Sequence, residues 1–211
     1  MLNHMMNPLT AVVIVVAVLM IYPILILIYD IHNYLTYRRR GVRDETAECP
    51  NGLGALSVII PTWHESINTV VDAVKRALKF NWPGPIEVIV VSDDEEDYVN
   101  ELRRRVIELG DNVKVLRRIS KNAGKAGAID YGFRHSRGDY VLTMDVDSLI
   151  DSNFPLKACG VMIKNNVAAV AGRWFGYNTD TLVSEAVTAS MNLAVDTIQG
   201  GRRARGLPAL V

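Results

Sequence analysis

Hydrophobic positions are laid out along this chain in two different ways. Residues 9–29, LTAVVIVVAVLMIYPILILIY, are apolar almost throughout and carry no charged side chain. As a helix this stretch would be about 31 Å long, against a bilayer core of about 30 Å, so it predicts a membrane-spanning helix. Pro23 predicts a kink of the kind membrane helices tolerate. From residue 55 onward, short apolar runs alternate with amphipathic segments. Residues 55–61 (ALSVIIP), 86–91 (IEVIVV), 113–116, 140–144 and 167–171 read as five strands. Residues 66–80, with Ile67, Val70, Val71, Val74 and Leu78 at helical spacing, read as a helix, as do 96–109, 125–135 and 154–164. Residues 182–198 form a last, rather apolar helix, for which burial against the sheet edge is expected. The alternation predicts an α/β fold: a mostly parallel sheet with helices on both faces and ligands beyond the C-terminal strand ends.

Charge refines this picture locally. The 23 Lys and Arg are balanced by 23 Asp and Glu, so nothing in the bulk charge points to nucleic acid as a partner. Arg38, Arg39, Arg40 and Arg43 follow the apolar helix, whereas the first eight residues contain no Lys or Arg. By the positive-inside rule this predicts a single-pass anchor in the cell membrane with the downstream part in the cytoplasm; Tyr29, Tyr34 and Tyr37 suit the headgroup layer. The apolar run is too long, and lacks the following small-residue site, for a cleaved signal peptide. Residues 41–54 read as a linker, dividing the chain into 1–40, 41–54 and 55–211. Cys49 and Cys159 show no metal-binding spacing, and both a disulfide and two free thiols remain open. Residues 200–205 (GGRRAR) read as a basic, solvated loop.

The candidate chemistry follows the strands. Asp145-Val146-Asp147 stands at the end of the apolar run 140–144, and two carboxylates so spaced can hold a hard cation, Mg2+ or Mn2+, against a diphosphate. Pro61-Thr62-Trp63-His64-Glu65-Ser66 follows the first strand and can offer polar groups to a base and ribose, or simply turn the chain, with Ser66 capping the next helix. Asp93 follows the second strand and is a better ligand candidate than Asp94–Asp97, whose charges complement a helix N-terminus. Arg117, Arg118, Lys121 and Lys125 surround Asn122-Ala123-Gly124, a small-residue loop opening a helix and hence a natural phosphate site.

Four segments taken in series resemble the family 2 glycosyltransferases of GT-A (Rossmann-like) fold, particularly the membrane-embedded type related to cellulose, chitin and hyaluronan synthases. They are 57–62 (SVIIPT), 87–93 (EVIVVSD), 124–132 (GKAGAIDYG) and 138–148 (GDYVLTMDVDS). The resemblance implies an inverting, metal-dependent transfer from a nucleotide-diphosphate sugar, a UDP-sugar above all, to a polysaccharide or lipid-linked acceptor. It implies that Pro61, Thr62, Glu65 and Asp93 line the nucleoside pocket and that Lys125 approaches the diphosphate. It further implies that Asp145 contacts ribose and metal, and that Asp147 ligates the metal. Arg173, in the strand-like 167–173 segment, would border the sugar or acceptor site. His64 departs from the family's usual Asn, and Ser92 from one of two adjacent aspartates, which leaves Asp94 as the one-residue alternative to Asp93.

No residue is assigned as general base. The later acids Asp151, Asp180, Glu185 and Asp196 lack the expected acidic context, so the 55–211 domain is expected to be C-terminally incomplete. Two other readings share these features: a catalytically silent, membrane-tethered nucleotide-binding partner, and a nucleotidyltransferase releasing pyrophosphate.

Overall fold

The computed structural model describes residues 7–40, 49, 52–177 and 179–204. In chain order the elements are α1 (Pro8–Arg40), β1 (Leu56–Thr62), α2 (Ile67–Ala77), β2 (Ile86–Ser92), α3 (Glu96–Val106), β3 (Val113–Arg117), α4 (Gly124–Arg134), β4 (Tyr140–Thr143), α5 (Phe154–Asn165), α6 (Leu182–Ala194) and α7 (Gly200–Ala204). They belong to two compact units, one holding everything described from Cys49 to Ala168, the other holding α1 and the chain from Ala169 onward.

The first unit is built on a four-stranded, all-parallel sheet of order β3-β2-β1-β4. Both of its faces are covered, which explains why its strands read as runs of Val and Ile rather than as alternating patterns. On one face Val58, Ile60, Val88 and Val90 pack with Val70 and Val74 of α2 and Val99 and Leu102 of α3. On the other, Ile59, Ile89 and Val91 pack with Ala128 of α4. Ser66 caps α2 by accepting the Thr69 amide at 3.1 Å, so the capping reading of that serine holds. A disulfide joins Cys49 to Cys159 of α5, resolving the open cysteine question in favour of the bond.

The expected fifth strand is not formed. Residues 167–171 have no strand geometry, and most of their side chains are exposed. Their small, apolar composition therefore gains nothing from a pleated packing surface, which is what strand propensity largely reflects.

In the second unit α1 runs unbroken past Pro23 to Arg40, and its segment Pro8–Arg39 is long and apolar enough to cross a membrane, with a mean hydropathy of 3.2 over its most apolar 18 residues. Arg43 and most of the 41–54 linker lie outside the described residues. The 182–198 helix is not buried as expected: no residue of α6 is buried. The GGRRAR stretch is also not a loop. After a π-helical turn (Val195–Gln199) the chain stays helical through α7, up to Ala204, with Arg205 outside the described residues. Gly200 and Gly201 are buried there against α1, where an added Cβ would fall 2.5 Å from the Tyr37 ring and 2.4 Å from Asn33 Cβ. Glycine here allows a close helix approach instead of breaking a helix.

Candidate active site

The strand order reverses direction between β1 and β4, the place where open parallel sheets bind ligands. The cleft found there, of about 240 Å³, is lined by Pro61, Thr62, Trp63, Glu65, Lys125, Asp145, Val146 and Asp147. Six of the seven residues expected to hold the nucleotide and metal thus line one space; Arg173, expected at the sugar or acceptor site, is paired with Asp196.

The two aspartates face outward because the residue between them faces inward. Val146 is buried in the core, a placement that contributes roughly 1.5–3 kcal/mol. The Met144 amide continues the ladder to the Ile59 carbonyl at 3.1 Å, and the Arg76 guanidinium of α2 donates to the Val146 carbonyl at 2.7 Å. Backbone on both sides of Asp145 is therefore fixed while Asp145 stays half-buried and Asp147 exposed. Asp147 has no hydrogen-bond or ion-pair partner for its side chain among the described residues. Lys125 reaches Asp145 at 2.5 Å.

The opposite wall is the 61–66 loop. His64 takes a left-handed φ of 59° and its amide donates to Asp94 at 2.9 Å; its ring lies tilted at 44° against Trp63, with ring centroids 4.5 Å apart. Asp94 also accepts from the Ser92 hydroxyl at 2.8 Å. Burial, reinforced by the Asp94 carboxylate, pushes the Tyr98 phenol up, so it stays protonated and donates to the Glu65 carbonyl at 2.8 Å. Asp93, expected on the base, does not line the cleft. It is buried, with Oδ1 accepting from Arg118 Nε at 2.8 Å and Oδ2 paired with Arg118 Nη2.

The sequence placed Arg118 beside the phosphate loop and Asp94 beside the ligand aspartate but indicated the partner of neither, and it did not single out Arg76. For Arg118 a signal existed, a second arginine directly after a strand. For Arg76, an arginine near a helix end, nothing in the local pattern separates it from a surface residue.

Among the described residues no group of three or more His, Cys, Asp or Glu side chains could hold a metal. A two-carboxylate set nevertheless fits Mg2+ or Mn2+, which keep several waters and take further oxygens from substrate phosphates.

The sequence model of Glycosyl transferase family 2 matches residues 57–205. The chain belongs to that family. A probable glycosyltransferase of Sulfolobus acidocaldarius is 34% identical over 164 residues, covering 77% of this chain and 35% of that protein. The poly-beta-1,6-N-acetyl-D-glucosamine synthase of Staphylococcus aureus is 27% identical over 145 residues, covering 65% of this chain and 34% of the relative. The chain therefore spans about a third of the length of these curated relatives. Among solved structures, a mannosyltransferase from Pyrobaculum calidifontis in complex with GDP-Man and Mn2+ shares the fold, with a TM-score of 0.53 and 21% identity over 64% of this chain and 40% of that one. The family 2 chain is thus a glycosyltransferase domain of GT-A-like fold, and its cleft lies where such a sheet binds ligands.

Proposed function

We propose that this chain forms the donor-binding part of an inverting, metal-dependent glycosyltransferase that takes a nucleotide-diphosphate sugar. A UDP-sugar is the first candidate donor, and a polysaccharide or lipid-linked molecule the acceptor. The observation that carries the reading is the convergence of Pro61, Thr62 and Glu65, Lys125, and Asp145 and Asp147 around one cleft.

In this reading Pro61, Thr62, Trp63 and Glu65 flank the nucleoside. Lys125 turns from Asp145 to a phosphate oxygen. The change costs little, because Lys125 is 59% and Asp145 38% exposed and such pairs contribute about 0–1 kcal/mol. Asp145 and Asp147 hold Mg2+ or Mn2+ together with the diphosphate. A cation held there supplies charge neutralisation for the departing nucleoside diphosphate. Arg76 keeps the Val146 carbonyl, and so both carboxylates, in place.

The related mannosyltransferase, solved with GDP-Man and Mn2+, makes GDP the alternative nucleotide to test. Calorimetric titration of the chain with UDP and with GDP, each with and without Mn2+, is the direct test. Metal-dependent binding of at least one is expected; no heat with either rejects the reading.

We also read α1 as a single membrane span with the domain on the cytoplasmic side. The arginines after it support that orientation. The Cys49–Cys159 disulfide pulls the other way, since reducing compartments of most organisms, hyperthermophiles excepted, keep such bonds open. Protease shaving of sealed vesicles decides between them: a protected domain is expected in right-side-out vesicles.

A further inference from the structure

Several oxygens of the 145–147 loop are engaged before any ligand arrives. The Asp145 carbonyl accepts the Ser148 amide at 3.1 Å, and the Val146 carbonyl accepts from Arg76 Nη2 at 2.7 Å. Asp145 Oδ1 is held by the Lys125 ammonium at 2.5 Å. Of the two carboxylates only that of Asp147 has no side-chain partner among the described residues. A hard dication wants a full shell of oxygens, and at a site with one or two carboxylates it takes the rest from water and substrate phosphates. Without a diphosphate, such an ion meets one open carboxylate here and a second one already shared with a positive charge. Like charges at one carboxylate oppose each other.

A diphosphate changes both conditions at once. Its oxygens complete the cation's shell, and they offer Lys125 a partner other than Asp145. We propose that Lys125 is a latch on the metal site: it opposes a bare divalent cation at Asp145 and is drawn off by the diphosphate, so that cation and diphosphate each strengthen the other's binding. Coupling of this kind is reciprocal. The latch is built to move. Lys125 stands on the first turn of α4, and its side chain is 59% exposed, so it leaves Asp145 without breaking a buried contact. Its ammonium is a compact charge on a flexible stem, which suits a change of partner better than a rigid fork would. The inference rests on the metal and diphosphate reading of the cleft. It goes beyond it by giving one side chain opposite effects on two ligand states.

The test uses the full chain and two titrations. Bare Mn2+ is followed by the electron paramagnetic resonance of the free ion, and Mn2+ with UDP by calorimetry. Lys125→Ala is expected to tighten bare Mn2+ about twofold to fivefold, the range an exposed ion pair can withhold. The same variant should weaken Mn2+ with UDP about 10-fold. In an Asp145→Asn background the loss of Lys125 should bring no gain for bare Mn2+, because the contact it releases is gone. Bare Mn2+ affinity left unchanged or lowered by Lys125→Ala would overturn the latch and leave Lys125 as a phosphate contact only. A gain that persists with Asp145→Asn would overturn it in favour of a diffuse effect of net charge. An unaltered chain that binds Mn2+ neither alone nor with UDP would reject the metal and diphosphate reading itself, and the latch with it.

Discussion

The two ends of the sheet carry clusters of similar chemistry in opposite conditions. At the N-terminal end Glu87 accepts from the Ser57 hydroxyl and the Arg137 amide, each at 2.6 Å, and from the Lys114 ammonium at 2.8 Å. Ser57 in turn accepts the Gly138 amide at 2.8 Å. At the C-terminal end Asp145 has one exposed ion pair, and Asp147 has no side-chain partner among the described residues. A saturated polar network ties strands together and leaves nothing to offer a ligand. Carboxylates whose backbone is fixed but whose oxygens are open are held ready for something outside the protein. The contrast, more than the number of charges, locates the function.

The largest expected effect is at the open end. Asp147→Ala should lower Mn2+-dependent UDP affinity by at least about 100-fold, the upper range for losing even an indirect metal partner, while circular dichroism and melting stay unchanged. Isothermal calorimetry reads the first. A variant that melts early would erase the contrast. At the closed end the pattern should invert. An alanine Cβ at Gly138 would lie 2.5 Å from Ser57 Oγ, 2.7 Å from Ser57 N and 2.8 Å from the Ala55 carbonyl. Gly138→Ala is therefore expected to cost about 1–3 kcal/mol in urea denaturation, with the folded fraction binding UDP as before.

Lys125→Ala should weaken UDP binding about 10-fold and alter stability by no more than about 1 kcal/mol, the ceiling for its exposed ion pair. The smallest effect depends on pH. Burial pushes the Glu87 carboxyl up, but hydrogen bonds from Lys114, Ser57 and the Arg137 amide outweigh it and hold it below its ordinary 4.5. A carboxyl lowered by folding contributes stability that is complete above its ordinary value and is lost as pH falls through the folded one. Glu87→Gln should cost about 1 kcal/mol at about pH 7 and progressively less at acid pH, as pH falls below 4.5 through the lowered folded value. An equal cost at neutral and acid pH would mean that the carboxylate charge is not what ties the network.

Much of this was legible in the sequence for one reason: strands buried on both faces must be written in Val and Ile, and their ends must carry whatever faces the ligand. The ends of β1, β2 and β4 could therefore be read, and with them Pro61, Thr62, Glu65, Asp145 and Asp147. His64, where the family usually has Asn, is also intelligible afterwards, since both residues are enriched among those that adopt its left-handed φ of 59°. What could not be read depends on contacts between distant segments. Asp93 looks open in the sequence because Arg118, its partner, lies 25 positions on. Gly200 and Gly201 look like a loop because local rules treat glycine as a breaker, whereas here α1 sits where their side chains would be. The 167–171 run looks like a strand because residue type does not report whether a packing surface is there to receive it.

The central claim is that Asp145 and Asp147 hold a divalent cation together with a diphosphate. Electron paramagnetic resonance of Mn2+ tests it most directly, because the signal of the free ion falls as the ion is bound. Adding the chain to Mn2+ and UDP should reduce that signal beyond what UDP alone does, and the reduction should vanish with Asp147→Ala. An equal reduction with Asp147→Ala, or none with the unaltered chain, would contradict the account.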